Sequence, residues 1–228
     1  MISFKLWLEQ EDAQQPIVFV DLDETLIKTQ FLRDAVTRWA VNSDNVSYDY
    51  FTKNPNEFEN YQKKMFESLK KLSPILIGSV SDPNNSYVSL LRPHAIDFVK
   101  SLKPFRVCAL TSGKKDFQQD IINRQNIPFD NVYGREDIKT GNVSKSKIAV
   151  LVDDLSPTTS GIQSKMIAMG ILQQETNDFD DESNQDVNKI YNHFVQVKAW
   201  NGDSNDGELT AKLSEVKEKI ANLMAQGV

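Results

Sequence analysis

Short apolar runs alternate with amphipathic segments along most of this chain. The apolar runs are rich in β-branched residues, which is typical of strands buried on both faces. We predict strands at 17–20, 106–110, 131–133, 148–152 and 194–198. Apolar residues at helical spacing predict helices at 93–103, 116–125 and 157–169. Because strands that alternate with helices form parallel sheets, we expect an α/β doubly wound fold: a central five-stranded parallel sheet with helices on both faces.

The segment 28–86 interrupts this alternation between the first and the second strand. It carries two helical patterns, at about 30–41 and 55–72. We therefore predict a small helical cap inserted after the first strand, at 28–86. The remaining segments, 1–27 and 87–228, would form the α/β core.

Two further segments follow the predicted helix at 157–169. The apolar residues of 207–224 fall on one face at helical spacing, which predicts a helix packed on the sheet. The acidic stretch 173–189 has little apolar content. It lacks the glycine and the closing glutamate of an EF-hand loop, so we interpret it as a solvated loop and not as a calcium site.

Composition narrows the class of protein. The 228 residues include 26 basic and 32 acidic side chains, a formal charge of −6, which argues against non-specific nucleic-acid binding through a basic face. The one cysteine, Cys108, lies in a predicted strand, so we interpret it as buried and inert. The first residues lack a secretory signal pattern, and no run approaches the roughly 18 apolar residues of a membrane span. We expect a cytoplasmic protein that binds no membrane.

Acidic or hydroxyl residues follow three of the predicted strands. Asp21 and Asp23 follow the first strand, Thr111 the second, and Asp153 and Asp154 the fourth. The carboxyl ends of parallel strands meet at one edge of a sheet, where ligands bind in open α/β folds. Carboxylates at that edge need a counter-charge, because burying an unpaired one is costly. The pattern predicts a site that binds a cation, handles phosphate, or does both.

These residue types support phosphate chemistry. Carboxylate oxygens without histidine or cysteine suit Mg²⁺. An aspartate can attack phosphorus to form an aspartyl-phosphate, and Asp23 can protonate the leaving oxygen and later take a proton from water. Thr111 and the backbone N–H groups of Ser112 and Gly113 can hold phosphate oxygens. A lysine near the fourth strand would add a fixed positive charge.

With these motifs, the chain resembles the haloacid-dehalogenase-like (HAD) phosphohydrolase superfamily. The first motif of that superfamily has the form Asp-x-Asp-x-Thr-Leu, found here at 21–26. Thr111 matches the second motif, and the acidic pair Asp153-Asp154 matches the fourth. The resemblance implies an α/β HAD fold and a Mg²⁺-dependent phosphatase.

The resemblance also implies a role for each aspartate. Asp21 would be the nucleophile and Asp23 the general acid/base. Mg²⁺ would be held by Asp21, by the backbone carbonyl of Asp23 and by the fourth motif, where we favour Asp154 as the ligand. Asp153 would orient a water or the lysine. Dehalogenase members of the superfamily lack the second aspartate, so Asp23 favours phosphate chemistry.

The lysine of the third motif is ambiguous. Lys145 and Lys147 lie near the start of the fourth predicted strand, the end far from the active edge. A strand of five residues spans about 16 Å, more than a lysine reaches easily. Lys139, fourteen residues before Asp153, leaves enough chain to return to the edge. We favour Lys139, with Lys145 as the alternative if the connection loops upward.

Two features bear on the substrate, and they point in different directions. A weaker resemblance to the FCP/NIF-like branch, the C-terminal-domain phosphatases, involves 87–93 and 195–200 and implies a phosphopeptide substrate. A helical cap favours a small phosphorylated metabolite or nucleotide. The run 111–114 also fits a nucleotide or polynucleotide 3′-phosphatase. A non-catalytic phosphate-binding module on the same fold is the remaining alternative, and the Asp21/Asp23 pair argues against it.

Overall fold

The structure is a computed structural model that describes residues 15–28, 30–72, 91–173 and 183–226. The chain divides into two compact units. The core unit comprises Met1–Ile27 and Arg92–Val228, and the inserted unit comprises Lys28–Leu91. That the inserted unit acts as a cap stays a prediction.

A five-stranded sheet lies at the centre of the core unit. Its strands are β1 (Ile17–Val20), β2 (Arg106–Leu110), β3 (Asn131–Tyr133), β4 (Ala149–Asp153) and β5 (Phe194–Gln196). All four pairings are parallel, and the strand order is β3-β2-β1-β4-β5. The predicted five-stranded parallel sheet is confirmed.

Helices cover both faces of this sheet. The helices of the core unit are Ala95–Ser101, Lys115–Arg124, Arg135–Thr140, Ser160–Ala168, Ser183–Asn192 and Glu208–Ala225. Glu208–Ala225 contacts β4, β5 and Ala95–Ser101 on one face. Arg135–Thr140 and Ser160–Ala168 pack together on the other face. The doubly wound α/β architecture is therefore confirmed.

The central strand β1 is apolar at every position because it is buried on both faces. All four of its side chains are fully buried. Successive side chains of a strand point to opposite faces, so Ile17 and Phe19 share a face. They join a cluster that includes Ile162 and Met166 of helix Ser160–Ala168. Val18 and Val20 belong to the opposite face. A strand covered on both sides needs apolar residues at every position.

Two helices of the core unit were not predicted from the sequence. Ser183–Asn192 begins within the stretch that we interpreted as a solvated loop, 173–189, of which 174–182 lie outside the described residues. Its Ile190 is buried in the core cluster, which gives this polar segment an apolar contact. Arg135–Thr140 is only six residues long, too short to show a helical period. The carboxylate of Asp137 accepts a bond from Gly134 N at its start.

The inserted unit is helical. Its α-helices are Gln30–Asp44, Tyr50–Lys53 and Phe58–Leu72, with a 3₁₀ turn at Pro55–Glu57. The first and third of these helices pack against each other. Aromatic rings from all three helices contact one another edge-to-face at centroid distances of 5.3–6.3 Å, namely Trp39, Tyr50, Phe51, Phe58 and Tyr61. The aromatic side chains of this unit thus pack on each other.

Within the described ranges, no helix combines the length and the apolar character that a membrane crossing requires.

Candidate active site

The strand order reverses between β1 and β4, which is the switch point of the sheet. The chain moves from β1 to β2 and β3 on one side, then crosses to β4 and β5 on the other. In open α/β sheets, ligands bind at the carboxyl ends of the strands where the order reverses in this way. Asp21 directly follows β1, and Asp153 ends β4. Asp21 N donates a hydrogen bond to Val152 O at 2.9 Å, which fixes Asp21 beside the end of β4.

A buried lysine joins these two aspartates. Lys165 Nζ lies 2.5 Å from Asp21 Oδ1 and 2.7 Å from Asp153 Oδ2. The three residues are exposed by 5 % or less. Lys165 belongs to helix Ser160–Ala168, which follows β4 and therefore begins near the carboxyl edge of the sheet. Its position lets the long side chain extend to both carboxylates.

The lysine that contacts these aspartates, Lys165, is neither Lys139 nor Lys145, the two that we favoured from the sequence. Lys139 forms a solvent-exposed ion pair with Glu136 at 3.4 Å. Lys145 lies in the connection that leads into the amino end of β4, with its side chain beside Gly170. Both residues are exposed. The position beside Asp21 and Asp153 that we expected Lys139 or Lys145 to take is occupied by Lys165. Our reasoning considered only lysines that precede β4.

A signal for Lys165 was present in the sequence. The helix buries Ile162 and Met166 along one face, Met169 continues that face at the C-cap, and Lys165 falls within the same apolar stripe. A lysine is almost never fully buried unless a partner balances its charge. A charged residue on the buried face of the helix after an acidic strand end therefore indicates a partner at that edge.

The loop after β1 ties the first motif to the fourth. Thr25 is fully buried, and its Oγ1 donates a hydrogen bond to Asp154 Oδ1 at 2.9 Å. The backbone of this loop is also held in place, because Arg92 Nη1 donates to Thr25 O at 3.0 Å. Arg92 is buried and forms an ion pair with Asp206 at 2.8 Å. This contact of Thr25 was not predicted from the sequence.

Asp23 is held by two side chains, one directly after β2 and one on the helix Lys115–Arg124 that follows it. Thr111 Oγ1 donates to Asp23 Oδ2 at 3.0 Å, and Gln118 Nε2 donates to Asp23 Oδ1 at 2.8 Å. Each carboxylate oxygen of Asp23 thus accepts a hydrogen bond. No role for Gln118 was predicted from the sequence.

Two of the groups that we expected to hold phosphate oxygens, Thr111 Oγ1 and Gly113 N, have other partners in the structure. Gly113 N donates to Thr111 Oγ1 at 2.9 Å, and Thr111 Oγ1 in turn donates to Asp23 Oδ2. Ser112 is exposed, and its carbonyl accepts a bond from Arg135 Nε at 2.8 Å. A role of Ser112 and Gly113 in substrate binding stays a prediction.

The aspartates at this edge carry more negative charge than Lys165 balances. Burial raises the pKa of Asp21, Lys165 opposes the rise, and the charges of Asp153 and Asp23 add to it, so that the net direction is upward. Burial also raises the pKa of Asp154. Burial alone lowers the pKa of Lys165, but the attraction of Asp21 and Asp153 outweighs it and raises that pKa above its ordinary value. An additional cation would relieve the repulsion.

The geometry fits a hard cation. Asp21, Asp153 and Asp154 each offer a carboxylate oxygen, and these oxygens lie within 4.8 Å of one another. Oxygen ligands of this kind suit Mg²⁺. The two oxygens of Asp153 already accept bonds, from Lys165 and from Leu155 N at 2.9 Å. Asp21 and Asp154 are therefore the better candidates for metal ligands, while Asp153 is paired with Lys165.

Cys108 lies outside this chemistry. Its side chain is fully buried in β2, and burial raises the pKa of its thiol to about 11. A thiol with so high a pKa is protonated at neutral pH and is a poor nucleophile. The prediction that Cys108 is a buried core residue is confirmed.

Comparison with known proteins returns a structural match of low similarity. No protein-family model matches the chain, and no curated protein matches it. Among solved structures, a crystal structure described as that of a "putative beta-phosphoglucomutase" from Thermotoga maritima matches with 16 % sequence identity and a TM-score of 0.41. The match covers 89 % of this chain and 99 % of the other. A likeness at this level says nothing about activity, so function has to be argued from the site.

Proposed function

We propose that this protein is a Mg²⁺-dependent phosphomonoester hydrolase of the HAD type that acts through an aspartyl-phosphate. The observation that carries the proposal is the contact of Lys165 with Asp21 at the switch point of the sheet, 2.5 Å between Nζ and Oδ1. Asp23 lies two residues away and is held by separate donors, Thr111 and Gln118. A buried carboxylate beside a cation, with a second carboxylate nearby, is the set that nucleophilic attack and proton transfer require.

The first half of the reaction transfers the phosphoryl group to Asp21. An oxygen of the Asp21 carboxylate attacks phosphorus, a bond forms between them, and the bond from phosphorus to the leaving oxygen breaks. Asp23 gives its proton to that leaving oxygen, which departs as an alcohol. Lys165 holds Oδ1 of Asp21 and so fixes the direction in which the carboxylate faces. A buried, preorganised cation needs no reorganisation as charge moves.

The second half regenerates the enzyme. Asp23, now ionised, takes a proton from a water molecule whose oxygen attacks the same phosphorus. The bond from phosphorus to Asp21 breaks, and inorganic phosphate leaves. Asp21 and Asp154 would hold Mg²⁺, with the Asp23 backbone carbonyl as the further ligand that the resemblance implies. When bound, the ion offsets the repulsion between the carboxylate of Asp21 and the anionic phosphate group.

For the substrate we propose a small phosphorylated metabolite or nucleotide, or a phosphopeptide. The net charge of −6 weighs against long nucleic acids but not against a nucleotide. The weaker FCP/NIF-like resemblance favours the phosphopeptide. A panel of sugar phosphates, nucleoside 3′- and 5′-monophosphates and phosphoserine or phosphothreonine peptides separates these classes by kcat/KM.

The test of the proposal is hydrolysis of para-nitrophenyl phosphate by the wild-type protein and by Asp21→Asn, each with Mg²⁺ and with EDTA. We expect turnover by the wild type with Mg²⁺ and its loss with EDTA. Asp21→Asn should lower kcat by at least about 10³-fold, as expected for loss of a nucleophile. Asp116→Asn is a matched control, because Asp116 is exposed in the first turn of helix Lys115–Arg124. Binding of phosphate analogues without turnover of any phosphate ester would indicate a binding module instead.

A further inference from the structure

Gln118 occupies an unusual position for an amide side chain. It lies on helix Lys115–Arg124, which follows β2, and only 2 % of its surface is exposed. Its Nε2 donates to Asp23 Oδ1 at 2.8 Å, while Thr111 donates to the other oxygen, Oδ2, at 3.0 Å. Two donors from different elements, one on each oxygen, fix both the position and the rotation of the Asp23 carboxylate.

The same amide leaves a polar atom without a partner. Among the buried side-chain atoms that the structure describes, Gln118 Oε1 is the atom that has no hydrogen-bond partner. A buried acceptor without a partner destabilises the folded state. A methionine has nearly the same length and no such oxygen, so packing alone gives no reason for an amide at this position. The hydrogen bond to Asp23 provides that reason.

The backbone beside Gln118 is shaped around this contact. A Cβ atom added at Gly113 would lie 3.0 Å from Gln118 Nε2, 3.2 Å from Thr111 Oγ1 and 3.4 Å from Asp23 Oδ2. The absence of a side chain at Gly113 therefore lets the amide, the hydroxyl and the carboxylate converge.

From this geometry we infer that Gln118 is a positioning residue, which together with Thr111 holds the carboxylate of Asp23 in the orientation needed for proton transfer to the leaving group. The inference rests on the proposed function, in which Asp23 is the general acid and base. Gln118 itself touches neither the phosphorus nor the leaving oxygen, so it acts only through Asp23.

This role has a kinetic signature that a merely structural residue lacks. An alkyl phosphate releases a poor leaving group and depends strongly on protonation by a general acid. Para-nitrophenyl phosphate releases a stable phenolate and depends on it much less. Loss of the Asp23 orientation should therefore slow the alkyl ester selectively.

The experiment compares Gln118→Met with the wild type on glycerol 2-phosphate and on para-nitrophenyl phosphate. We expect kcat for glycerol 2-phosphate to fall at least about 10-fold more than kcat for para-nitrophenyl phosphate, with KM unchanged for both. The Tm of Gln118→Met shows whether the variant folds, because the loss of the unpartnered oxygen and the loss of the bond to Asp23 change stability in opposite directions. Gln119→Met is the matched control, since Gln119 donates to Asn123 Oδ1 on the surface of the same helix. It should leave both rates unchanged.

Several outcomes would overturn the inference. They are an equal loss on the two esters, no loss on either, or a change confined to KM. If Gln118→Met does not fold, Gln118→Asn replaces it, because a side chain shortened by one methylene keeps the amide but withdraws it from Asp23. The same selective loss is expected. If neither variant folds, the residue is structural and the inference is wrong.

Failure of the proposed function would be recognised separately, because the wild type would then hydrolyse neither ester. In that case a crystal structure of Gln118→Met decides the question of positioning. A rotation of the Asp23 carboxylate away from Thr111 supports the inference, and an unchanged carboxylate contradicts it.

Discussion

Lys165 Nζ lies 2.5 Å from Asp21 Oδ1, although the two residues are 144 positions apart in the sequence. The same nitrogen lies 2.7 Å from Asp153 Oδ2. All three groups are almost completely buried. Charges interact much more strongly in the protein interior than in water. A single lysine thus connects the residue after β1, the last residue of β4 and the helix that follows β4. This arrangement holds the proposed nucleophile from one side.

We predict that Lys165→Met removes both activity and stability. Breaking a buried ion pair by removing one partner costs about 3–5 kcal/mol, because the remaining charges stay buried and unpaired. We expect the free energy of unfolding, measured with urea in the presence of EDTA, to fall by about that amount. kcat should fall at least about 100-fold, as for the loss of other preorganised charge-stabilising groups.

The controls are Lys139→Met and Lys145→Met. Both residues are exposed, so each variant should keep its unfolding free energy within about 0.5 kcal/mol of the wild type and should keep its activity. Loss of activity in Lys139→Met together with full activity in Lys165→Met would contradict the assignment of Lys165.

Asp23→Asn should trap the covalent intermediate. With para-nitrophenyl phosphate the first step has a good leaving group and needs little help from an acid, whereas attack by water still needs a base. Phosphorylated protein should therefore accumulate in Asp23→Asn and appear in intact-protein mass spectrometry as the addition of one phosphoryl group. The double variant Asp21→Asn/Asp23→Asn is the control and should stay unmodified. A phosphorylated double variant would mean that another residue is the nucleophile.

The sequence predicted most of the sheet and the acidic edge because both depend on local patterns. A strand buried on both faces, such as β1, is apolar at every position, and its end is marked by the first polar residue. Parallel strands that end in Asp21, Thr111 and Asp153 must place these residues along one edge. No knowledge of tertiary contacts is needed for that step.

The rest of the site depends on contacts that no local pattern encodes. Gln118 and Thr25 are ordinary polar residues in sequence, and each acquires its role from a carboxylate far along the chain, 95 and 129 positions away. Lys165 was missed for a different reason. Its helix returns from the carboxyl edge of the sheet, so a residue after the acidic strand is as close to the site as one before it. Only the direction of that helix decides between Lys165 and Lys139.

Asp154→Asn should weaken the binding of Mg²⁺ while leaving the fold intact, because an asparagine can still accept the bond from Thr25 Oγ1. A ligand that binds only the folded state raises the free energy of unfolding by RT ln(1 + L/Kd), where L is the ligand concentration, so tighter binding stabilises more at the same concentration. Mg²⁺ should therefore raise the Tm of the wild type more than that of Asp154→Asn at the same concentration. The Mg²⁺ concentration for half-maximal activity should increase at least about 10-fold.

Asp203→Asn is a suitable control for Asp154. Asp203 is exposed, and its Oδ1 accepts a bond from Asn205 N within its own loop. Its metal titration should match that of the wild type. A titration curve for Asp154→Asn that also matched the wild type would exclude Asp154 as a ligand.

His193 should make the stability of the core unit sensitive to pH. Burial lowers the pKa of His193 below its ordinary value of 6.5, the Ala149 carbonyl opposes the change, and the nearby Lys219 adds to it. The neutral ring donates from Nδ1 to Ala149 O at 2.7 Å. The unfolded chain therefore binds a proton more readily than the folded protein does. Well above pH 6.5 the ring is neutral in both the folded and the unfolded state, so protonation of His193 does not change the free energy of unfolding. The free energy of unfolding falls as the pH drops below that value.

The measurement is urea unfolding at about pH 7.5 and about pH 5.5 for the wild type, His193→Gln and His94→Gln. Between the two pH values the wild type should lose more unfolding free energy than His193→Gln, since the variant has no imidazole to protonate. Comparing the two proteins cancels the contributions of carboxylates that they share. His94 is exposed, so His94→Gln should follow the wild type. If His193→Gln lost as much stability as the wild type over this range, the burial of a neutral His193 would not be the source of the pH dependence.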